Sequence, residues 1–186
     1  MKSVCVFLAN GLEECEGLIV IDVLRRAGVT VTTASIHEET LITSSHQIQF
    51  YADALAKDLT MDSFDMVVLP GGLGGTNNLK ASALVAETVT AFAAREDKTV
   101  AAICAAPSVL GELGLLAGKK ATCFPGFEDK LSGAIATGEA VTEDGNIITG
   151  KGMGAAIPFA LHLVARLLGE DKAKEIGAQI QYPFAF

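Results

Sequence analysis

Short apolar runs alternate with segments of helical periodicity along most of this chain, and this alternation constrains the fold more than any other feature. Parallel strands need a long crossover between them, and a helix supplies it. The alternation therefore predicts a mostly parallel sheet with helices on both faces, that is, an α/β fold. The predicted strands are Ser3–Ala9, Thr30–Ser35, Asp65–Leu69, Thr99–Ile103 and Lys120–Cys123. The predicted helices are Glu14–Ala27, Asn78–Arg95, Ala105–Leu116 and Ala155–Leu168.

Two hairpins interrupt the alternation. Leu41–Thr43 pairs with Ile48–Tyr51 in the first, and Ala140–Thr142 pairs with Ile147–Thr149 across an Asp-Gly turn in the second. No internal repeat, linker or domain boundary is visible, so residues 1–186 are predicted to form a single domain. The apolar tail at 180–186 is predicted to dock against the rest of the chain.

The composition argues against several classes of function. The chain has a net charge of −8 and no long basic run, which disfavours a nucleic-acid partner. It has no apolar stretch of roughly 18 residues, so no membrane span is predicted. The apolar start is interpreted as a strand rather than a signal peptide, because three glutamates follow it without a typical cleavage site. Four cysteines without CxxC or zinc-like spacing predict no metal site and favour a reducing cytoplasm.

Cys104 is the strongest candidate for a functional residue. It follows the predicted strand Thr99–Ile103 and precedes a segment that can form a helix. At such a turn the helix amides favour the thiolate, which is the nucleophilic form of cysteine. Ala102 and Ala106 flank it with the small side chains that a sharp nucleophile turn needs. The alternative is an inert cysteine in the core.

A carboxyl group is predicted beside this cysteine. In open α/β sheets the ligand site lies at the carboxyl ends of the strands, where the segments 11–16 and 70–75 should meet Cys104. Glu16 lies in phase with the apolar stripe of the first helix, which predicts a half-buried carboxyl with a raised pKa. It could donate a hydrogen bond to a thiolate or act as a general acid and base. The alternative is an interaction with the helix dipole, which fits the two preceding glutamates better.

Backbone amides in the same region are candidate donors to an oxyanion. Gly71 and Gly72 could supply two of them, and Ala105 could supply another. The alternative for the glycines is a turn that needs positive φ. The glycine spacing matches neither a dinucleotide fingerprint nor a P-loop, and no cofactor is predicted.

The remaining cysteines and histidines are weaker candidates. Cys15 and Cys123 each lie near a strand end and could resolve an oxidised Cys104, with ordinary packing as the alternative. His162 falls on the polar stripe of its helix, and the two histidines beside the first hairpin are predicted to be solvated. A Cys–His dyad is therefore not predicted.

These segments together resemble the ThiJ/PfpI superfamily, in particular the parkinsonism-associated deglycase group and its bacterial relatives. The resemblance covers about residues 2–180. It rests on Ala9-Asn-Gly-Leu-Glu-Glu-Cys-Glu16, Asp22-Val-Leu-Arg-Arg-Ala-Gly-Val-Thr-Val31, Val67-Val-Leu-Pro-Gly-Gly72, Ala101-Ala-Ile-Cys-Ala-Ala-Pro107 and Thr149-Gly-Lys-Gly-Met-Gly154.

The resemblance implies a flavodoxin-like three-layer sandwich and a homodimer. It also implies that Cys104 is reactive and easily oxidised, that Glu16 is its protonated partner, and that the Gly72 and Ala105 amides line an oxyanion site. Activities of such relatives include cofactor-independent glyoxalase, repair of glycated groups, redox-dependent chaperone action and, in distant members, peptidase activity. This chain departs from some relatives at Phe124, where they carry a histidine, and this departure weakens a peptidase interpretation. Lys151 keeps a positive charge where arginine is more usual.

The first helix also suggests a homodimer. Leu18 and Ile21 are predicted on its outward face beside Arg25, and apolar residues on an outward face favour a covered surface. Single exposed apolar residues are the alternative.

The predicted function is a cysteine-dependent, cofactor-independent enzyme that acts on small α-oxoaldehydes or their adducts. Cys104 is the predicted nucleophile and Glu16 the acid and base. The first alternative is a redox-sensing stress protein or chaperone that acts through oxidation of Cys104. A peptidase or amidase is the weaker alternative, because it normally needs a base such as histidine near the thiol.

Overall fold

The computed structural model describes residues 1–183. Its strands are spread between residues 3 and 150. They are β1 Ser3–Leu8, β2 Thr30–Ser35, β3 Leu41–Thr43, β4 Gln49–Tyr51, β5 Ala54–Leu55, β6 Met66–Leu69, β7 Thr99–Ile103, β8 Lys120–Ala121, β9 Ile135–Ala136, β10 Val141–Asp144 and β11 Ile147–Gly150. The main sheet has the order β10-β11-β7-β6-β1-β2-β5, in which only the β10–β11 pair is antiparallel. The carboxyl ends of β1, β6 and β7 therefore lie side by side.

Helices cover both faces of this sheet. They are α1 Glu14–Arg26, α2 Leu73–Ala81, α3 Ala83–Ala93, α4 Pro107–Glu112, α5 Ala156–Leu168 and α6 Glu170–Gln179. Side chains of β1 alternate between two cores: Val4 and Val6 pack with α1, α5 and α6, whereas Cys5 and Phe7 pack with α2, α3 and α4. The predicted α/β, flavodoxin-like architecture with helices on both faces is confirmed.

Two predicted helices are wrong in extent. The segment predicted as Asn78–Arg95 is split between α2 and α3, because the Ser82 side chain accepts the Val85 N–H and begins a new helix. The helix predicted at Ala105–Leu116 is shortened to α4. It begins at Pro107, a residue well suited to a first helical position.

The carboxyl-terminal region contains a helix that the sequence did not predict. The buried surface of α6 consists mainly of Ala173 and Ile176, which is too sparse a stripe for a periodicity argument. Beyond it, Ile180 and Tyr182 pack against the core, as expected for a docked tail. Residues 184–186 of that predicted tail lie outside the described residues.

The prediction that Ile21 lies on an outward face of α1 is wrong. Ile21 is only 7% exposed and belongs to the core, because α1 packs against α5 as well as against the sheet. Leu18 is 41% exposed, in agreement with the prediction, and Arg25 lies 2.8 Å from Asp53 in a surface ion pair. No helix within residues 1–183 is long and apolar enough to cross a membrane.

Candidate functional site

Cys104 lies immediately after β7 in a backbone conformation that few non-glycine residues adopt. Its φ angle is 66°, in the left-handed region, where a side chain costs about 1–2 kcal/mol. Two neighbouring segments hold it there: the Cys104 N–H donates to Gly150 O at 2.9 Å, and Cys104 O accepts the Phe124 N–H at 2.8 Å. The predicted sharp turn at a strand end is thus present, with a half-buried thiol at its apex.

The turn after Cys104 is closed by small, buried residues. Ala105 and Ala106 are both buried, and the Ala106 N–H donates to Ile103 O at 3.0 Å. The Ser108 side chain donates to Ala105 O at 2.6 Å. These bonds satisfy the backbone of the tight turn and orient the Ala105 N–H toward the Cys104 sulfur, to which it donates.

Glu16 approaches the same thiol from α1. It is 1% exposed, and the Gly71 N–H donates to its Oε2 at 3.0 Å. The carboxyl lies near enough to the Cys104 thiol for the two groups to shift each other's pKa, and its Oε1 has no hydrogen-bond partner within residues 1–183. Burial raises the pKa of Glu16 to about 7; the Cys104 and Gly71 bonds oppose this rise, and the charge of Glu13 adds to it. The inward, titratable carboxyl predicted from helical phase is present.

The two groups titrate as a pair. Burial, followed by the charge and hydrogen bond of Glu16, raises the pKa of Cys104 to about 12, against the lowering effect of the Gly72 and Ala105 amides. The predicted lowering of this pKa by the helix end is therefore wrong, because burial and then the nearby Glu16 carboxyl outweigh the two amides. Both pKa values are raised, so burial favours the protonated form of each group.

The two glycines after β6 have different roles. A Cβ on Gly71 would lie 2.4 Å from Glu16 Oε2 and 2.5 Å from Cys104 Cβ, so only glycine fits between these groups. Its amide is bound to Glu16 and is not a free oxyanion donor, contrary to the prediction. Gly72 has a φ of 85° and directs its N–H to the Cys104 sulfur. The donors near the sulfur are therefore Gly72 and Ala105.

The chain is similar to known proteins over most of its length. Residues 2–166 match the DJ-1/PfpI family. The chain belongs to this family. Protein dj-1beta of Drosophila melanogaster is 40% identical over 94% of this chain and 94% of its own length. The solved structure of oxidized Toxoplasma gondii DJ-1 has a TM-score of 0.94 at 34% identity, and the match covers 99% of this chain and 100% of that one.

One similar protein carries a functional name. A Schizosaccharomyces pombe protein named glutathione-independent glyoxalase DJ-1 is 27% identical to this family member over 98% of this chain and 100% of its own length.

The other cysteines make no disulfide with Cys104, and all four are free thiols. Cys15 is exposed beside three glutamates; burial and these charges raise its pKa. Cys123 is buried in the core that contains α4, and burial followed by the charge of Glu128 raises its pKa to about 11. Cys104 packs against the opposite core.

A polar cluster lies at the start of α1, and the sequence did not predict its pairing. The Glu14 carboxyl, predicted to interact with the helix dipole, has its Oε1 2.9 Å from His46 Nδ1. Glu13 completes a group of three whose potential metal-ligand atoms lie within 4.8 Å of one another. The hydrogen bond between Glu14 and His46 by itself accounts for their approach.

An apolar cavity of about 530 Å³ opens between the two segments that hold the Cys104 backbone. Phe124 and Met153 are its largest exposed side chains. Sequence reasoning identified Phe124 only as the position of a missing histidine and did not identify Met153. The available signal for Met153 was its place as a large apolar residue among the glycines of 150–154.

Proposed function

We propose that this DJ-1/PfpI family member is a cysteine-dependent, cofactor-independent enzyme that converts small α-oxoaldehydes to 2-hydroxy acids. The observation that carries the proposal is the buried Glu16 carboxyl, which meets the Cys104 side chain across Gly71 beside two amide donors. The S. pombe relative named as a glyoxalase supports the same chemistry.

The first step forms a bond between the Cys104 sulfur and the aldehyde carbon. The carbonyl π electrons move to oxygen, and the Gly72 and Ala105 N–H groups stabilise the resulting oxyanion. The proton shared by Glu16 and Cys104 then neutralises this oxygen and gives a hemithioacetal. The Glu16 carboxylate is left beside the carbon that bears the sulfur.

The second step is an internal redox reaction. Glu16 removes the proton from the sulfur-bearing carbon, and the electron pair moves to the neighbouring ketone oxygen to give an enediolate. The hydroxyl proton on the sulfur-bearing carbon moves to that oxygen, and Glu16 returns its proton to the former ketone carbon as a carbonyl forms beside the sulfur. The product is a thioester of the 2-hydroxy acid, so one carbon is oxidised and the other reduced by the same two electrons. A pKa of about 7 lets Glu16 accept and return this proton near neutral pH.

Hydrolysis completes the cycle. Water attacks the thioester carbon, the same two amides stabilise the second oxyanion, and the carbon–sulfur bond breaks to release the hydroxy acid and the thiol. Adducts of α-oxoaldehydes with amines or thiols, which release the free aldehyde reversibly, would enter the same sequence.

The test is conversion of methylglyoxal to lactate without glutathione by wild type, Cys104→Ser, Glu16→Gln and Cys15→Ser. We expect turnover in the wild type and in Cys15→Ser, whose exposed thiol is the matched control. We expect a loss of at least about 10³-fold in the other two variants, the scale on which nucleophile and acid–base groups act. Wild-type protein that leaves methylglyoxal unchanged would reject the proposal.

The second candidate function is a redox sensor that acts through Cys104. A protonated Glu16 would donate a hydrogen bond to an oxidised Cys104 sulfur, and the same amides would bind its oxygens. The similar T. gondii protein was solved in an oxidized form. A peptidase is less supported, because Phe124 offers no base beside the thiol.

A further inference from the structure

The mouth of the site carries large apolar side chains exposed to solvent. Leu73 follows Gly72, Phe124 donates its N–H to Cys104 O, and Met153 follows Gly152. Burying such surface against a ligand stabilises the complex, whereas leaving it in water has no structural benefit.

The walls of the adjoining cavity are apolar and are formed by the same two segments. Phe124, Pro125, Met153 and Ala155 are among its lining residues, and Lys151 is the charged residue among the described residues around it. The Lys151 ammonium donates to Gly138 O at 2.9 Å, which ties it to the rim. A polar substituent placed here would find few hydrogen-bond partners, and burying it would be unfavourable.

The position of the Phe124 ring is fixed by contacts on several sides. Its backbone is bound to Cys104, its ring meets Phe127 edge-on with centroids 6.5 Å apart, and a Cβ on Gly152 would lie 3.3 Å from its Cδ2. A ligand therefore meets a preformed wall and does not have to order it.

We propose that this cavity binds the apolar substituent of the α-oxoaldehyde, so that aryl-substituted substrates are preferred to glyoxal. The proposal rests on the proposed function. The substituent is attached to the carbon next to the one that Cys104 attacks. One cavity wall is hydrogen-bonded to Cys104 through the Phe124 N–H, and the other follows directly after Gly150, which accepts the Cys104 N–H. A covalently held substrate therefore has its substituent close to the cavity.

The experiment uses a Phe124→Ala/Met153→Ala double variant and measures kcat/KM for phenylglyoxal, methylglyoxal and glyoxal. The ratio between phenylglyoxal and glyoxal in wild type is compared with that in the variant, which cancels the intrinsic reactivity of each aldehyde. We expect the double variant to lower this ratio at least about 10-fold, the low end of what hydrophobic pockets discriminate. Ile135→Ala is the matched control, since Ile135 is 58% exposed, close to the 55% of Met153, and lies outside the cavity lining. It should leave the ratio unchanged.

A second readout does not depend on turnover. Cys104 is alkylated with N-benzyl iodoacetamide and, separately, with iodoacetamide, and both rates are measured from the mass of the Cys104 peptide. The ratio of the first rate to the second measures how well the subsite binds an aryl group. We expect this ratio to fall in the double variant and to stay constant in Ile135→Ala. If no aldehyde is converted but the alkylation ratio falls, the subsite stands and the proposed function fails.

The subsite can also fail while the proposed function holds. Methylglyoxal turnover with both ratios unchanged in the double variant would overturn the subsite and leave the proposed function intact. Unchanged ratios together with a smaller particle mass by light scattering would assign the apolar surface to contact with a second copy of the chain instead. Circular dichroism melting confirms that each variant is folded.

Discussion

The Gly71 N–H donates to Glu16 Oε2 at 3.0 Å, and the same glycine lies against Cys104 with no space for a side chain. One backbone position thus sets the distance between the acid and the nucleophile. Gly71 has no positive φ, so its requirement for glycine comes from contact and not from backbone conformation.

We expect Gly71→Ala to lower kcat/KM for methylglyoxal by about 10²-fold, because a misplacement of ~1 Å in a reacting group has this effect. Overpacking should also lower the free energy of unfolding by about 1–3 kcal/mol. Gly177→Ala is the control, since its Cβ would meet only Leu161 Cδ1 at an ordinary 3.6 Å. Equal activity of the two variants would contradict the positioning role of Gly71.

The raised pKa of Glu16 makes stability depend on pH. Its pKa rises from 4.5 to about 7 on folding, so the folded state binds the proton more tightly than the unfolded chain. The contribution of Glu16 protonation to the free energy of unfolding is fully present below pH 4.5 and is lost as pH rises through about 7. The total loss is roughly 3 kcal/mol. Urea denaturation of wild type and Glu16→Gln from pH 4 to 8 measures it as the difference between the two curves. Glu87→Gln, at an exposed position, is the control: its free energy of unfolding should change with pH as that of the wild type does.

Helical phase and strand ends predicted the centre of the site. Glu16 was identified because its spacing places it on the same face of α1 as the inward apolar residues. Cys104 was identified because an apolar run ends directly before it. The bond between Gly71 and Glu16 was not predictable, since it joins two loops whose approach depends on the packed sheet. The sequence shows the two glycines at 71 and 72, but it does not show the direction in which the Gly71 N–H points.

Two errors in the prediction have different physical causes. Ile21 lies off the inward stripe of α1, yet a second helix, α5, covers that flank, and a single helix pattern carries no information about its neighbours. Ser82 acts as an N-cap inside a segment whose apolar spacing continues across it. The family resemblance corrected neither error, because it fixed the fold and left these local features open.

The exposed face of α1 allows a sharper test of the proposed homodimer. Leu18→Asp should halve the particle mass measured by light scattering at micromolar concentration, because a charge would enter the interface. Leu168→Asp is the control, since Leu168 is 40% exposed and Leu18 is 41% exposed. Ile21→Ala should act differently, lowering the free energy of unfolding by about 2–4 kcal/mol through a core cavity. A wild-type mass near 19.3 kDa would refute the dimer.

Oxidation tests whether either neighbouring cysteine acts as a redox partner. Cys123 is buried in the opposite core, and Cys15 is an exposed thiol beside three glutamates; no disulfide joins either of them to Cys104. Cys104 differs because two amides and a titratable carboxyl surround its sulfur. We therefore expect peroxide to add oxygen to Cys104 without forming a disulfide.

The measurement is aldehyde turnover during peroxide treatment, followed by non-reducing peptide mapping. Inactivation should proceed at the same rate in wild type, Cys15→Ser and Cys123→Ser, because the sulfur is oxidised by peroxide directly and no second thiol takes part. Loss of activity should track oxygen uptake at Cys104. A peptide linking Cys104 to Cys15 or Cys123, or protection of activity that disappears in one serine variant, would establish a resolving cysteine instead.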